Sequence, residues 1–153
     1  MRIILFLSSL LCLSNCFAQE FEIVSATAQK WAGGQKRTGH GVYYTITLKV
    51  KKNSQRLSFD KLWVGSEFYS IKAYKHLEDK NIETYSINDT VYVSARSQIR
   101  PPDEENPEVN QKVMTETPPF EIKGAALLAY IYKGKRKYKT IDSFKELNSL
   151  FYP

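Results

Sequence analysis

The run Tyr132-Lys133-Gly134-Lys135-Arg136-Lys137-Tyr138-Lys139 concentrates more chemical capability than any other stretch of the chain. Lys133, Lys135, Arg136, Lys137 and Lys139 gather five positive charges around a glycine turn, and Tyr132 and Tyr138 flank it. A two-stranded ribbon of this composition contacts anionic oxygens through its cations and flat groups through its aromatics. Lysines on a hairpin also have a plainer use, since charge on an exposed edge discourages sheet-to-sheet aggregation.

A second stretch is rich in glycine: Trp31-Ala32-Gly33-Gly34-Gln35-Lys36-Arg37-Thr38-Gly39-His40-Gly41. Gly34 and Gly39 stand at the spacing of a phosphate-binding loop. However, His40-Gly41 occupies the place of the Lys-Ser/Thr pair that would hold phosphate and magnesium. The stretch also leads into a strand, whereas a phosphate loop must open a helix whose amides hold the anion. Two readings remain. One is a connection between strands. The other is an anion- or sugar-contacting loop built from Trp31, Lys36, Arg37 and His40, with Trp31 exposed. Trp31, Trp63, Tyr43 and Tyr92 would form a wider aromatic platform for a sugar ring or a protein. For Trp63, core packing is the expectation, because tryptophan is usually highly buried.

Other chemistries find little support. His40 and His76 are the only histidines, and neither has a paired ligand nearby, so no metal site is expected. The acidic stretch Asp103-Glu104-Glu105-Asn106-Pro107-Glu108 lacks the alternating oxygen ligands and turn glycine of a calcium loop. No Gly-x-Ser-x-Gly elbow is present, and Val64-Gly65-Ser66-Glu67 reads as a turn. Two facing carboxylates would suit a hydrolase acting on envelope polysaccharide, but the sequence does not single out a pair. No cofactor motif is present.

The N-terminus narrows the compartment. Arg2 is followed by the apolar run Ile3–Leu13, which is too short for the ~20 residues of a membrane-spanning helix. Cys16 and Ala18 are small residues three and one positions before Gln19. Charge, apolar run and small-x-small form a secretory leader over residues 1–18, cut before Gln19. In a rival reading Leu13-Ser14-Asn15-Cys16 is a lipidation box, with Asn15 poorly suited to the position before the cysteine. Both cysteines, Cys12 and Cys16, lie in the leader. The remaining chain then has no disulfide, no thiol nucleophile and no transmembrane span. It is expected to be periplasmic or secreted, of bacterial type.

About 135 residues follow the leader, enough for one domain over 19–153 with a real core. The formal charge of the full chain is +6, which suits anionic partners and also solubility. The patterning is that of strands. Val42, Tyr44, Ile46, Leu48 and Val50 alternate with Tyr43, Thr45, Thr47 and Lys49, which predicts one buried and one wet face. Phe21–Gln29, Phe68–Tyr74, Thr90–Ile99, Phe120–Tyr132 and Tyr138–Ile141 are further strands, with Ser97 and Ile99 placed on the inner side of theirs. Leu57–Val64 breaks phase, and a bulge near Asp60-Lys61 would let Leu57, Phe59, Leu62 and Val64 all face inward, turning Trp63 away from the main core. Leu127–Ile131 is apolar on both faces and suits a strand covered on both sides. The prolines of 100–119 make a long loop. Phe144, Leu147 and Phe151 recur at three and four residues, and Ser143 with Glu146 fits a capping box, so a short C-terminal helix is expected.

These observations predict an all-β fold: a single antiparallel β-sandwich of seven or eight strands, immunoglobulin-like or a similar Greek key, with a C-terminal helix. An up-and-down barrel is the alternative. The Cys…Trp…Cys framework of antibody domains is absent. The expected function is a non-enzymatic binding domain that meets an anionic glycan, a lipid surface or an envelope protein through its loops and basic hairpin. The alternatives are the carboxylate-dependent hydrolase and an inhibitor or assembly subunit working through the proline loop. Export argues against nucleic acid.

Overall fold

The computed structural model describes residues 19–35, 38–52, 56–75, 84–101 and 116–153. The leader with Cys12 and Cys16, Lys36 and Arg37, His76, and the acidic stretch 103–108 lie outside the described residues.

Nine strands are present among these residues: β1 Phe21–Ala32, β2 His40–Val50, β3 Leu57–Val64, β4 Glu67–Ser70, β5 Lys72–Tyr74, β6 Thr90–Arg96, β7 Ala126–Tyr132, β8 Lys135–Ile141 and β9 Lys145–Phe151. They form a five-stranded sheet ordered β5-β6-β2-β1-β9 and a four-stranded sheet ordered β4-β3-β7-β8. The two pack face to face as a β-sandwich with no closed barrel. The segment expected as one strand over Phe68–Tyr74 is two short ones, and Ile71 between them marks the crossing from the small sheet to the large one.

Period-two alternation builds the core. Ile46, Leu48 and Val50 of β2 and Val91, Val93 and Ala95 of β6 face inward and are buried. The break of phase in β3 is resolved by the expected bulge. Phe59 lies opposite Tyr130 and Lys61 opposite Ala129, so Asp60 is the extra residue. Leu57 and Leu62 are thereby both buried in the main core, with Phe59 and Val64 packed against it. Each large apolar side chain buried this way contributes about 1.5–3 kcal/mol.

β7 is covered on both faces. Ala126, Leu128, Tyr130 and Tyr132 join the main core. Leu127 and Ala129 point the other way and form a second cluster with Trp63, packed by Phe68, Ile122 and Tyr138. Trp63 is therefore both outside the main core and buried. The chain at 116–122 lids it, and the indole N–H donates to the carbonyl of Glu116 at 2.8 Å.

The expected C-terminal helix is a strand instead. β9 pairs in parallel with β1, Thr27 opposite Lys145 and Ala32 opposite Phe151, so the larger sheet is mixed rather than purely antiparallel. A helix of two turns is marginal alone. Here β1 offers an unpaired edge, and pairing satisfies backbone groups on both segments. The three-and-four spacing does not mark a buried face: Phe144 packs against Tyr44, with ring centroids 5.2 Å apart, but Phe151 remains 80% exposed. Ile99 also departs from expectation. Strand β6 ends at Arg96, and Ile99 lies exposed in an isolated bridge to His40.

Candidate anion-binding end of the sandwich

Strand directions place the basic hairpin at one end of the sandwich, with the start of β1, the end of β2 and the start of β3. The register fixes this: Phe21 lies opposite Val50, and Leu57 opposite Tyr132. Lys133 and Gly134 alone make the β7–β8 loop, since Tyr132 already pairs with Lys135. Both have positive φ, 51° and 76°, as a type I′ turn demands. Gly134 accepts this freely, whereas lysine pays for it sterically.

Alternation along β8 divides the other four cations. Lys135, Lys137 and Lys139 share the face of buried Ile141, while Arg136 shares the opposite face with Tyr138. Neighbouring carboxylates take up two of them. Arg136 pairs with Asp60, the bulged residue of β3. Lys137 pairs with Glu20 at 2.6 Å. Glu20 is buried and also accepts from the Tyr130 hydroxyl at 3.1 Å, with Lys52 4.0 Å away. Desolvation alone would raise its pKa, but hydrogen bonds from Lys137, its own backbone and Tyr130, with the Lys137 charge, outweigh that and hold it below the usual carboxylate value. Burial, with the Glu20 charge and hydrogen bond added to it, pushes Tyr130 up to about 12.

Lys139 donates to the Gln19 side-chain oxygen at 3.3 Å. Lys133 and Lys135 are exposed and have no carboxylate partner among the described residues. Sequence reasoning missed the third such cation. Arg56, exposed in the turn before β3, hands its carbonyl to the Lys133 amide at 3.0 Å. Lys52 belongs here too. Its ammonium, with those of Lys133 and Lys137, lies 5.4–5.9 Å from the Tyr132 ring, on whose negative face cations are favoured. The polar turn 51–56 was visible as a charged stretch. Only the β3–β7 pairing brings Arg56 beside the hairpin.

Trp31 and His40 sit at the other end, so the structure does not join them to the basic hairpin. Trp31 is 2% exposed, which corrects the expectation of an exposed ring. It lies on the outer face of the large sheet, capped by the Arg96 guanidinium 4.2 Å from its ring and flanked by Tyr43 and Tyr152. Its indole N–H donates to the Ser97 carbonyl at 3.3 Å, which explains how a polar-edged ring can be covered here. His40 is exposed at the start of β2, its backbone paired with Ile99. Tyr43 and Tyr92 do face outward, and Tyr92 stacks on Tyr74 at 5.7 Å.

A groove of about 460 Å³ runs between β9 and the inner face of β2, lined in part by Lys30, Tyr44, Asp142 and Glu146. Both carboxylates are exposed to water. Among the described residues no three His, Cys, Asp or Glu side chains gather as a metal site would require, and no helix is long and apolar enough to cross a membrane. The chain matches no family model, no curated protein and no solved structure.

Proposed function

We propose that the chain is an exported, non-enzymatic binding domain that meets an anionic surface, an acidic glycan or a layer of acidic lipid headgroups, with its β7–β8 end. One observation carries the reading. Arg56, Lys133 and Lys135 are three exposed cations without carboxylate partners among the described residues, on two turns joined by a backbone hydrogen bond. Edge protection would be served as well by cations anywhere along β8. It does not account for a lysine at the φ of 51° that asparagine or glycine fills more cheaply.

Retention on sulfated-polysaccharide beads and on anionic vesicles tests the proposal. The parent protein should be held on at least one of them and be released by salt, since surface charges are screened within about 10 Å at 0.1 M. Arg56→Glu, Lys133→Glu and Lys135→Glu together should abolish retention and leave the thermal midpoint nearly unchanged. Arg136 and Lys137 are unsuitable for such a test, because their reversal would also strand Asp60 and Glu20. No retention of the parent on either matrix, or equal retention of the triple variant, would remove the proposal.

A further inference from the structure

We infer that Gln19 becomes the N-terminal residue and closes to a pyroglutamyl ring, with Lys139 positioned to assist. The inference rests on the export reading, which frees the α-amine of Gln19. From Glu20 onward the chain is firmly held. The Glu20 carbonyl accepts from the amides of Lys51 and Lys52, at 2.9 and 3.2 Å, its carboxylate is buried, and Phe21 packs edge-on against Phe59 and Tyr130. Gln19 itself is exposed, and its side chain meets Lys139.

The chemistry is internal to one residue. The lone pair of the α-amine attacks Cδ of the side-chain amide, forming an N–Cδ bond and a five-membered lactam. The Cδ–Nε2 bond breaks, and Nε2 leaves as ammonia with the proton given up by the amine. Nothing is oxidised and no co-reactant is needed. Holding both groups on one side chain makes the step unimolecular. Negative charge builds on Oε1 as the carbonyl is attacked. The Lys139 ammonium, 3.3 Å from that oxygen, is placed to stabilise it. The amine must be neutral to attack, and its ordinary pKa is about 7.7–8.0. The lactam oxygen of the product can keep the same hydrogen bond. Ring closure also removes a terminal charge beside Lys139 and leaves no free amine for an aminopeptidase.

The test is the intact mass of the protein recovered after expression of the full chain in an exporting bacterium. A mass that begins at residue 19 and is lighter by one ammonia, restored to sequencing by pyroglutamyl aminopeptidase, supports the inference. A mass beginning at residue 19 without that loss overturns the cyclisation alone. Retention of residues 1–18 overturns the export reading as well, whereas a start elsewhere, such as at Cys16, overturns the cyclisation and the cut before Gln19 but not export. For Lys139, Gln19 is exposed in vitro by cutting a fusion, and ammonia loss is followed with time at fixed pH. Lys139→Met should slow it several-fold in the folded protein and leave it unchanged in urea. Equal rates in the folded state would overturn the positioning role.

Discussion

The two ends of the sandwich use cations in opposite ways. At the end of Trp31, the single guanidinium of Arg96 sits over a buried indole and serves to cover it. At the end of Tyr132, three ammonium groups surround one ring, and further cations stand free in water. A cation over an aromatic ring is thus a lid in one place and part of a surplus in the other. What separates them is how many cations share one ring and how many find a carboxylate.

The largest effect should come from removing the covered ring. Trp31→Ala should cost about 3–5 kcal/mol, the range for a large aromatic lost from a packed site. Urea unfolding measures it, and the folded variant should bind anionic beads as the parent does. A smaller loss with weakened bead binding would merge two ends that the account keeps apart.

Glu20→Gln comes next. It removes the charge that Lys137 and Tyr130 contact and should destabilise the fold by about 1–3 kcal/mol. Because the folded pKa of Glu20 lies below its ordinary 4.5, its contribution is fully present above that value and is lost as pH falls through the depressed one. Stability of the parent should therefore drop on acidification below about 4.5, and the drop should be shallower in the variant. Parallel curves for the two proteins would show that Glu20 is not a titrating anchor.

Lys135→Ala should weaken retention on acidic vesicles by about 1 kcal/mol, roughly fivefold, the usual contribution of one basic side chain near such a surface. Its unfolding midpoint should not move. Lys133→Asn has the smallest expected effect, a gain of about 0.5 kcal/mol in stability from relief at positive φ, with retention lowered by one charge. A destabilised Asn variant would mean that Lys133 makes a contact its φ alone does not reveal.

Much of this architecture was readable from alternation alone. β2, the bulge at Asp60, and the two-sided burial of β7 follow from which positions are apolar. Pairing between distant segments was not readable. The C-terminal strand carries a spacing that suits a helix, and only the free edge of β1 decides the matter. Trp31 was misjudged because its cover, Arg96 and Tyr152, comes from residues 65 and 121 positions further along the chain. The binding end was half visible. The five hairpin cations stood out, but the division of the four on β8 between two faces, the neutralisation of Arg136 and Lys137, and the arrival of Arg56 all depend on strand register.

The most direct measurement is a pair of triple variants matched in net charge. One carries Arg56→Glu, Lys133→Glu and Lys135→Glu. The other carries Lys30→Glu, Arg100→Glu and Lys123→Glu, exposed cations at the opposite end. The salt needed to elute each from an anionic matrix is compared with that for the parent. The account predicts a collapse for the first and a small shift for the second. Equal shifts would show that retention follows total charge and that the β7–β8 end has no special part in it.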